Sequence, residues 1–565
     1  MVNFKDTKKA AARTFYTSFS GGAVHPFGSL FGAAYRKATD TAAQGNIFDA
    51  IDGGADDAEH FEVEDNVAGR GRCSPILPLI VSILLLACAP VCLIAQSYQP
   101  NWESIDKRVT PAWFSDAKFG IFIHWGVYSV PAYAPVIPGK LAYAEWYWHQ
   151  MSEGRDNPKA NGVETGTWAY HQKRYGADYA YENFATQFRA ELFDPDQWAD
   201  LFVHSGAKYV VLTSKHHEGF ALWPSKEASA TWGKPWNAVE TGPKRDLLGD
   251  LSDAVRRKGL RMGFYYSLYE WYNPLWLKDK PRYVSEHMFP QFKDAVTRYK
   301  PSIIFSDGEW EQTSAEWRTP ELLAWLFNES PVKDDVVVND RWGSDTRHKH
   351  GGYWTTEYTP GMSGMDHPWE ESRGMGFSYG YNRAEKLEDY HTARELVIML
   401  VDIVSRGGNL LLDIGPNADG TIPVIMQERL TQMGAWLNVN GEAIYGTRPW
   451  QVAKQWSVGE QPKIAYNTEF STAYDVSKLA ARPDPGKAGI EAFFTSKGND
   501  VYAILPRWTS GKFLLKDLSG VTRVTLLGSQ GELKYKPVAG GEAVDLPDLP
   551  ENLRQQPAWV LKVSR

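Results

Sequence analysis

One short stretch of this sequence combines the pattern of a buried strand with acidic side chains. The apolar run Ile303–Asp307 ends in an acid, and Gly308, Glu309 and Trp310 follow it. An apolar run of this length predicts a strand that is buried on both faces. At the carboxyl end of such a strand, an acid beside a glycine can project into an open mouth where a ligand approaches. The pattern therefore predicts that Asp307 is a catalytic nucleophile.

Polar and aromatic side chains end several other apolar runs. They are His124 after residues 121–123, His216 and His217 after residues 210–212, Tyr265 after residues 262–264, and Arg341 after residues 336–338. Barrel enzymes carry their active sites at the carboxyl ends of the strands. One such ending could arise by chance, whereas four of them indicate a site.

Glycoside hydrolysis is a reaction that an acid in this position can serve. It needs two carboxyl groups, one that attacks or activates water and one that protonates the leaving oxygen. Asp307 suits the first role, but Glu309 lies too close to it in sequence to flank a sugar easily. Glu357 and Glu370 come from other segments and are better placed as partners. For each of the two, the alternative is an ordinary surface carboxylate.

The adjacent histidines His216 and His217 raise the alternative of a metal site. Neighbouring residues of a strand point to opposite faces, so both could bind one ion only if the backbone turns there. The sequence has no H-E-x-x-H motif and no cysteine after Cys92, which disfavours zinc. We therefore expect no metal and no cofactor, and we interpret His124, His216 and His217 as hydrogen-bonding partners of sugar hydroxyls. The competing interpretation, a structural histidine bonded to backbone, could hold for one of them.

Strands and helices that would position these residues alternate from Pro111 to about Trp450. Strands are predicted at residues 119–125, 209–214, 261–267, 303–307, 336–340, 353–358 and 409–414. Helices are predicted at residues 198–205, 247–258, 289–300, 320–328, 393–405 and 424–439. This alternation predicts an α/β fold in which parallel strands with helical crossovers form a (β/α)8-like barrel. We expect the catalytic domain to span residues 96–450, with a long insertion between Val127 and Asp194.

The two ends of the chain have different patterns. Short β-like runs at residues 492–495, 501–505, 521–527 and 559–563 predict a small antiparallel β-sandwich over residues 451–565. Residues 1–72 are polar with little periodicity, so we expect a disordered extension. Arg70 and Arg72 form a basic flank before the long apolar run of residues 73–95, which predicts a cleaved signal peptide or an uncleaved membrane anchor. Either interpretation predicts an exported protein, periplasmic, secreted or held outside the cytoplasm by the anchor.

Composition narrows the possible partners. The formal net charge of -8 shows no basic excess, which argues against a nucleic-acid partner. The three cysteines, Cys73, Cys88 and Cys92, all lie in or beside the apolar segment. The rest of the chain therefore has no disulfide, thiolate metal ligand or cysteine nucleophile. Contact with a membrane is expected only through residues 73–95 if they stay uncleaved, and the sequence is compatible with a homo-oligomer.

Six motifs, in order and at consistent spacing, resemble those of the family 29 α-L-fucosidases. They are FGIFIHWG at 119–126, EWY at 145–147, KHHEGF at 215–220, SDGEW at 306–310, NDRWG at 339–343 and GGNLLLDIGP at 407–416. The resemblance covers about residues 100–450 and is less specific over residues 451–565, where members of that family often carry a β-sandwich. It does not reach residues 1–95.

The resemblance implies a retaining exo-hydrolase that removes terminal α-L-fucose from a fucosylated glycan without a metal or organic cofactor. Asp307 matches the family nucleophile. The residues that match the fucose pocket are His124, Glu145, Trp146, His216, His217 and Tyr265, with Arg341 beside it. The family places its acid/base differently among members. Glu370 matches one placement and Glu357 another, and we favour Glu370 with Glu357 as the alternative.

Two other classes of protein stay open at this point. One is a fucose-binding protein of the same fold that has lost catalysis. The other is a barrel glycosidase that acts on a different sugar, such as a galactoside. Asp307 and both candidate acids are present, which disfavours the first of these, and a panel of chromogenic glycosides would separate all three.

Overall fold

The computed structural model describes residues 97–141, 143–364, 366–467 and 474–565. The extension predicted for residues 1–72 and the signal or anchor predicted for residues 73–95 lie outside the described residues, so both stay predictions. Among the described residues, we find no helix with the length and apolar character that a bilayer crossing requires.

Eight parallel strands form the central sheet. They are β1 Phe119–Ile123, β2 Tyr209–Lys215, β3 Arg261–Ser267, β4 Ile303–Asp307, β5 Val337–Val338, β6 Trp354–Glu357, β7 Trp369–Gly374 and β8 Asn409–Ile414. Their spatial order is β5-β4-β3-β2-β1-β8-β7-β6, which is the cyclic order of a barrel. Within the described residues, no strand pairing joins β5 to β6. The predicted barrel-like α/β class is confirmed.

Helices surround this sheet and fill the connections between its strands. They span Trp102–Ile105, Ala112–Ala117, Tyr147–Asp156, Gly162–Arg174, Pro195–His204, Lys226–Trp232, Leu247–Arg257, Pro274–Lys278, Lys280–Tyr283, Phe289–Tyr299, Ser314–Trp317, Thr319–Asn328, Ala393–Ser405 and Val424–Asn440. Leu247–Arg257 illustrates why they form. Its buried Leu251, Ala254 and Val255 recur at helical spacing, and the side chain of Asp246 caps its first turn.

Strand β7 was not predicted from the sequence, unlike the other strands of the central sheet. Its sequence, Trp369–Gly374, contains two glutamates, a serine and an arginine, so it lacks the apolar run that marks a buried strand. Burial is tolerated because the polar groups have partners: Glu371 accepts hydrogen bonds from the Thr359 amide at 2.9 Å and from Arg373 Nε at 2.7 Å. Such partners come from folding and leave no local pattern.

The C-terminal region is an antiparallel β-sandwich, as predicted. Its strands are β9 Arg448–Trp456, β10 Ile490–Lys497, β11 Asp500–Leu505, β12 Gly511–Lys516, β13 Arg523–Leu526, β14 Tyr535–Val538, β15 Gly541–Leu546 and β16 Trp559–Ser564. They form a five-stranded sheet, β13-β16-β11-β10-β9, and a three-stranded sheet, β12-β15-β14. Because β9 begins at Arg448, the sandwich includes residues before the predicted boundary at 451.

The five-stranded sheet is buried on both faces because its side chains alternate. Phe494 and Leu561 pack into the core of the sandwich. Their neighbours Phe493 and Val560 face the other way and join the core of the barrel. The short helix Val476–Ala480 packs beside this contact. The sandwich is therefore attached to the barrel through a continuous apolar interface.

Candidate active site

Asp307 lies at the centre of the site, as the last residue of β4 and level with the last residue of β3. Arg341 Nη1 donates to its Oδ1 at 2.9 Å, and the Tyr265 hydroxyl donates to its Oδ2 at 2.9 Å. His217 Nε2 lies 3.5 Å from the same Oδ2. The nucleophile predicted from the sequence is therefore surrounded by three of the other predicted site residues.

The surroundings of Asp307 favour its ionised form. Burial by itself would raise the pKa of this carboxyl, but the positive charge of Arg341 and the hydrogen bond from His217 outweigh it. Together they hold the pKa of Asp307 well below its ordinary value. The carboxylate is thus anionic at neutral pH, which is the form that can attack an electrophilic carbon.

Arg341 also joins Asp307 to a second carboxylate. Its Nη2 donates to Glu357 Oε2 at 3.1 Å, while its Nη1 holds Asp307. Glu357 is the last residue of β6, and its other oxygen accepts a hydrogen bond of 2.9 Å from the Tyr143 hydroxyl. Arg341 Nε donates to Thr355 Oγ1 at 3.0 Å, which fixes the plane of the guanidinium. The arrangement places two carboxylates from different strand ends around one cation.

Glu370 lies at the other end of the strands. It is the second residue of β7 and is level with Asn409, the first residue of β8. Its side chain is fully buried, and Tyr209, the first residue of β2, donates a hydrogen bond to it. Burial raises the pKa of Glu370 to about 8, against the effect of the Tyr209 hydrogen bond. Glu370 therefore lies near the amino ends of the strands and Asp307 at a carboxyl end, so the structure does not bring the preferred pair of the sequence analysis together.

Glu309 is separate from the carboxylate pair, in agreement with the sequence interpretation. Its Oε1 accepts a hydrogen bond from Arg347 Nε, and the residue is almost completely buried. Burial is the main cause that raises the pKa of Glu309, and the nearby charge of Asp307 adds to it. Glu309 thus belongs to the support of the turn that follows β4.

The three histidines predicted to bind hydroxyls lie close together, just after the carboxyl ends of β1 and β2. Strand β2 ends at Lys215, so the backbone turns there and the rings of His216 and His217 lie only 4.2 Å apart. His124 lies 5.6 Å from His216, and its Nδ1 is 2.6 Å from Asp413 Oδ1. Burial lowers the pKa of His124 to about 3 and that of His216 well below its ordinary value. Neutral rings can both donate and accept hydrogen bonds.

His124 and His217 each have a short contact with a neighbouring side chain. Across the described ranges, no group of three or more His, Cys, Asp or Glu side chains has an arrangement that could hold an ion. The one short contact of His124 is with Asp413, and His217 Nδ1 lies 2.6 Å from Ser267 Oγ. These contacts orient the rings, which is the arrangement needed for binding hydroxyl groups.

Glu145 and Trp146 lie on the short turn Ala144–Trp146, in the long insertion after β1. Glu145 is buried and accepts a hydrogen bond of 2.8 Å from the Gly380 amide. Burial raises its pKa to about 8. Trp146 is half-buried, and its ring centroid lies 5.5 Å from that of His217. Pairwise contacts therefore connect Trp146 to His217 and His217 to Asp307, and Glu145 is the residue before Trp146.

Several residues of the site are not marked by the sequence patterns described above. Asp413 is the second-last residue of the apolar strand β8, so a signal similar to that of Asp307 at the end of β4 could have found it. Tyr143, which contacts Glu357, and Tyr379, which stacks on His124 at 4.8 Å, lie in irregular segments without a local pattern. Only tertiary structure brings them to the site.

The fold and the site define a barrel glycoside hydrolase, because two carboxyl groups from strand ends lie among hydrogen-bonding and aromatic side chains. The family model of α-L-fucosidases matches residues 87–442, and the model of the α-L-fucosidase C-terminal domain matches residues 489–564. The chain belongs to the α-L-fucosidase family, and the resemblance seen in the sequence is confirmed.

Individual relatives agree over most of their length. An α-L-fucosidase of Dictyostelium discoideum is 42% identical over 449 residues, which are 78% of this chain and 87% of that protein. The tissue α-L-fucosidase of Homo sapiens is 40% identical over 512 residues, or 87% of this chain and 98% of that protein. The crystal structure of Thermotoga maritima α-fucosidase with a mechanism-based inhibitor has 35% identity and a TM-score of 0.65, and the match covers 83% of this chain and 100% of that one.

Proposed function

We propose that this protein is a retaining, exo-acting α-L-fucosidase that hydrolyses terminal α-L-fucose from glycoconjugates or polysaccharides. Membership of the family supports the glycosidase activity and the sugar. The single observation that carries the mechanism is Arg341, which holds Asp307 and Glu357 by two nitrogens of one guanidinium. A displacement through a covalent intermediate needs two carboxyl groups at short range, one for each role.

In the first step, an oxygen of Asp307 attacks the anomeric carbon while the bond from that carbon to the leaving oxygen breaks. Glu357 gives its proton to the leaving oxygen, so the aglycone departs as a neutral alcohol. In the second step, Glu357 takes a proton from water, and the water oxygen displaces Asp307 from the anomeric carbon. The configuration is inverted twice and therefore retained.

The assignment of Glu357 as acid/base rests on its neighbours. Glu357 ends β6 beside Arg341 and Tyr143, whereas Glu370 is the second residue of β7 and lies beside Tyr209. A general acid must reach the oxygen that leaves when Asp307 attacks. The position of Glu357 fits this requirement and that of Glu370 does not.

The remaining side chains suit the binding of a 6-deoxy sugar. Neutral His124, His216 and His217 offer ring nitrogens to the hydroxyl groups. The Tyr265 hydroxyl donates a hydrogen bond to Asp307. This hydrogen bond would weaken as the carboxylate loses its negative charge during the attack. The half-buried ring of Trp146 offers an apolar wall to the methyl group and the less polar face of the sugar.

Trapping the intermediate tests this proposal. We expect incubation with 2-deoxy-2-fluoro-α-L-fucosyl fluoride to inactivate the enzyme slowly, because the fluorine at carbon 2 slows the second step. Mass mapping of peptides should then find the fluorofucosyl group on Asp307. Label on another carboxyl group would overturn the assignment of the nucleophile. Binding of fucose without turnover of any fucoside would instead support a protein that has lost catalysis.

We also propose that the protein works outside the cytoplasm. The support is the apolar run of residues 73–95 and the basic flank of Arg70 and Arg72 before it. Fractionation of cells that express the full chain, followed by N-terminal sequencing, tests the proposal. A mature chain that begins near residue 96 supports a cleaved signal, and a full-length chain in the membrane fraction supports an anchor. A full-length chain in the cytosol contradicts export.

A further inference from the structure

Trp310 is a large aromatic side chain at the rim of the site that the catalytic mechanism does not use. Trp310 is 39% exposed, although it lies only three positions after Asp307 in the chain. Its ring centroid is 5.3 Å from that of His217, whose Nε2 lies 3.5 Å from Asp307. An exposed tryptophan beside a ligand cavity commonly marks a surface that binds a ligand.

The turn that carries Trp310 is firmly held. Trp317 Nε1 donates to the carbonyl oxygen of Glu309 at 3.0 Å, and the Glu309 side chain is bonded to Arg347. Gly308 begins the turn in a left-handed conformation, with φ of 74°, where a side chain would be strained. The tryptophan is thus presented at the rim by a turn that has little freedom to move.

Trp310 belongs to a group of aromatic side chains that we call the aromatic shelf. Its members are Trp146, His149, Trp271 and Trp310. The rings of Trp146 and Trp310 are nearly parallel, at 19° and 6.3 Å, and Trp271 lies 5.1 Å from Trp146. The shelf runs outward from the fucose pocket, because Trp146 belongs to both.

A groove continues the aromatic shelf away from the pocket. His149 lies 5.4 Å from Trp146 and also lines this groove, whose volume is about 730 Å³. A volume of this size accommodates more than one sugar ring. Its charged lining consists of Glu153, Arg155, Asp156, Asp178 and Glu182. Four carboxyl groups against one guanidinium favour a neutral ligand over an anionic one.

We propose that the aromatic shelf and the groove bind the saccharide to which fucose is attached, and that they prefer a neutral saccharide. The inference rests on the proposed fucosidase activity and adds the class of leaving group. A pyranose has a face of C–H groups that can pack on the exposed ring of Trp310, while its hydroxyls reach the polar side chains of the groove. The enzyme would then use contacts with the leaving group to raise kcat/KM.

The test compares two substrates in three forms of the enzyme. One substrate is α-L-fucosyl fluoride, whose leaving group is too small to reach the shelf, and the other is fucose linked to a neutral oligosaccharide. We expect Trp310→Ala to leave kcat/KM for the fluoride within about twofold and to lower kcat/KM for the oligosaccharide by about three- to tenfold. Trp310→Phe keeps an aromatic face and should retain most of the activity on the oligosaccharide.

Each outcome decides between the proposals. Equal loss on both substrates would mean that Trp310 supports the fucose pocket, and no loss on either would mean that the shelf binds nothing; both overturn the inference. Failure of the unmodified enzyme to hydrolyse the fluoride would instead overturn the proposed function. A sulfated oligosaccharide cleaved as fast as its neutral counterpart would contradict the preference for neutral ligands.

Discussion

Arg341 donates a hydrogen bond of 2.9 Å to Asp307 in a place where neither side chain has much access to water. The residues are only 3% and 8% exposed, respectively. Charge interactions are stronger in such surroundings than at the surface, because water screens them less. The pair therefore decides the ionisation of the nucleophile, and it also connects the nucleophile to Glu357.

Removal of this cation should change the pH dependence of the reaction. In Arg341→Gln, burial is no longer opposed by the guanidinium, so the pKa of Asp307 rises. The nucleophile then becomes protonated at a higher pH, and the acidic limb of kcat/KM moves upward. We also expect a loss in kcat/KM on the order of 10²–10³-fold. A pH profile of kcat/KM checks both effects, and an unmoved acidic limb would contradict the role of Arg341.

The nucleophile itself can be tested by chemical rescue. Asp307→Gly should reduce turnover nearly to zero, because no group remains to form the glycosyl-enzyme. Azide fits the space left by the carboxyl group and should restore part of the turnover on an activated aryl fucoside, with formation of fucosyl azide. Chromatography of the products measures this. Substantial activity in Asp307→Gly without azide would rule out the assignment.

Glu357→Gln and Glu370→Gln form a matched pair, because each replaces one carboxyl group by an amide of the same shape. We expect Glu357→Gln to lower kcat/KM by on the order of 10²–10⁴-fold on a fucoside with a poor leaving group. The loss in kcat/KM should be much smaller on a dinitrophenyl fucoside, because its dinitrophenolate leaving group departs without a proton. Glu370→Gln should keep activity on both substrates. The reverse pattern would restore Glu370 as the acid/base.

Glu370 should instead affect stability, and the sign follows from its raised pKa. In the folded chain its pKa is about 8, whereas the ordinary value is 4.5. The folded state therefore keeps a proton that the unfolded state releases, so this stability is present below about pH 4.5 and is lost as the pH rises through about 8. Thermal unfolding followed from pH 5 to pH 8.5 should give a smaller fall in Tm for Glu370→Gln than for the parent. An equal fall would show that Glu370 is ionised in both states.

A buried ion network that includes Lys215, the residue before His216, offers a further test. Glu270 Oε1 lies 2.8 Å from Lys215 Nζ and 2.7 Å from His287 Nε2, and none of the three side chains is exposed. Glu270→Gln leaves the positive charge of Lys215 without its partner, and we expect a loss of about 3–5 kcal/mol in the free energy of unfolding. The change is measured by denaturant titration.

Glu286→Gln is the matched control for that experiment. Glu286 also forms an ion pair, with Arg282 Nε at 2.8 Å, but both side chains are about half exposed. Solvent screens such a pair, so its removal should leave stability almost unchanged. Similar losses in the two variants would mean that burial does not decide the contribution of the Glu270 network.

Much of this protein follows from its local sequence. Strands β3, β4 and β8 occupy the residues that their apolar runs predict, because a strand buried on both faces must be apolar along its length. For the same reason, the apolar run of β4 is enough to mark Asp307 as the acid at its carboxyl end. The β/α alternation likewise determined the order of the strands, since crossovers between parallel strands are short and right-handed.

Only the tertiary structure distinguishes the two candidate partners of Asp307. Glu357 and Glu370 lie on neighbouring parallel strands, and the register pairs Glu357 with Ser372 and Glu370 with Thr355. Glu357 ends its strand, whereas Glu370 is the second residue of its own and lies two positions nearer the amino ends of the strands in this register. A one-dimensional pattern shows that both residues are acids near strands, but the partners that separate them, Arg341 and Tyr209, are distant in sequence and meet them only in the fold.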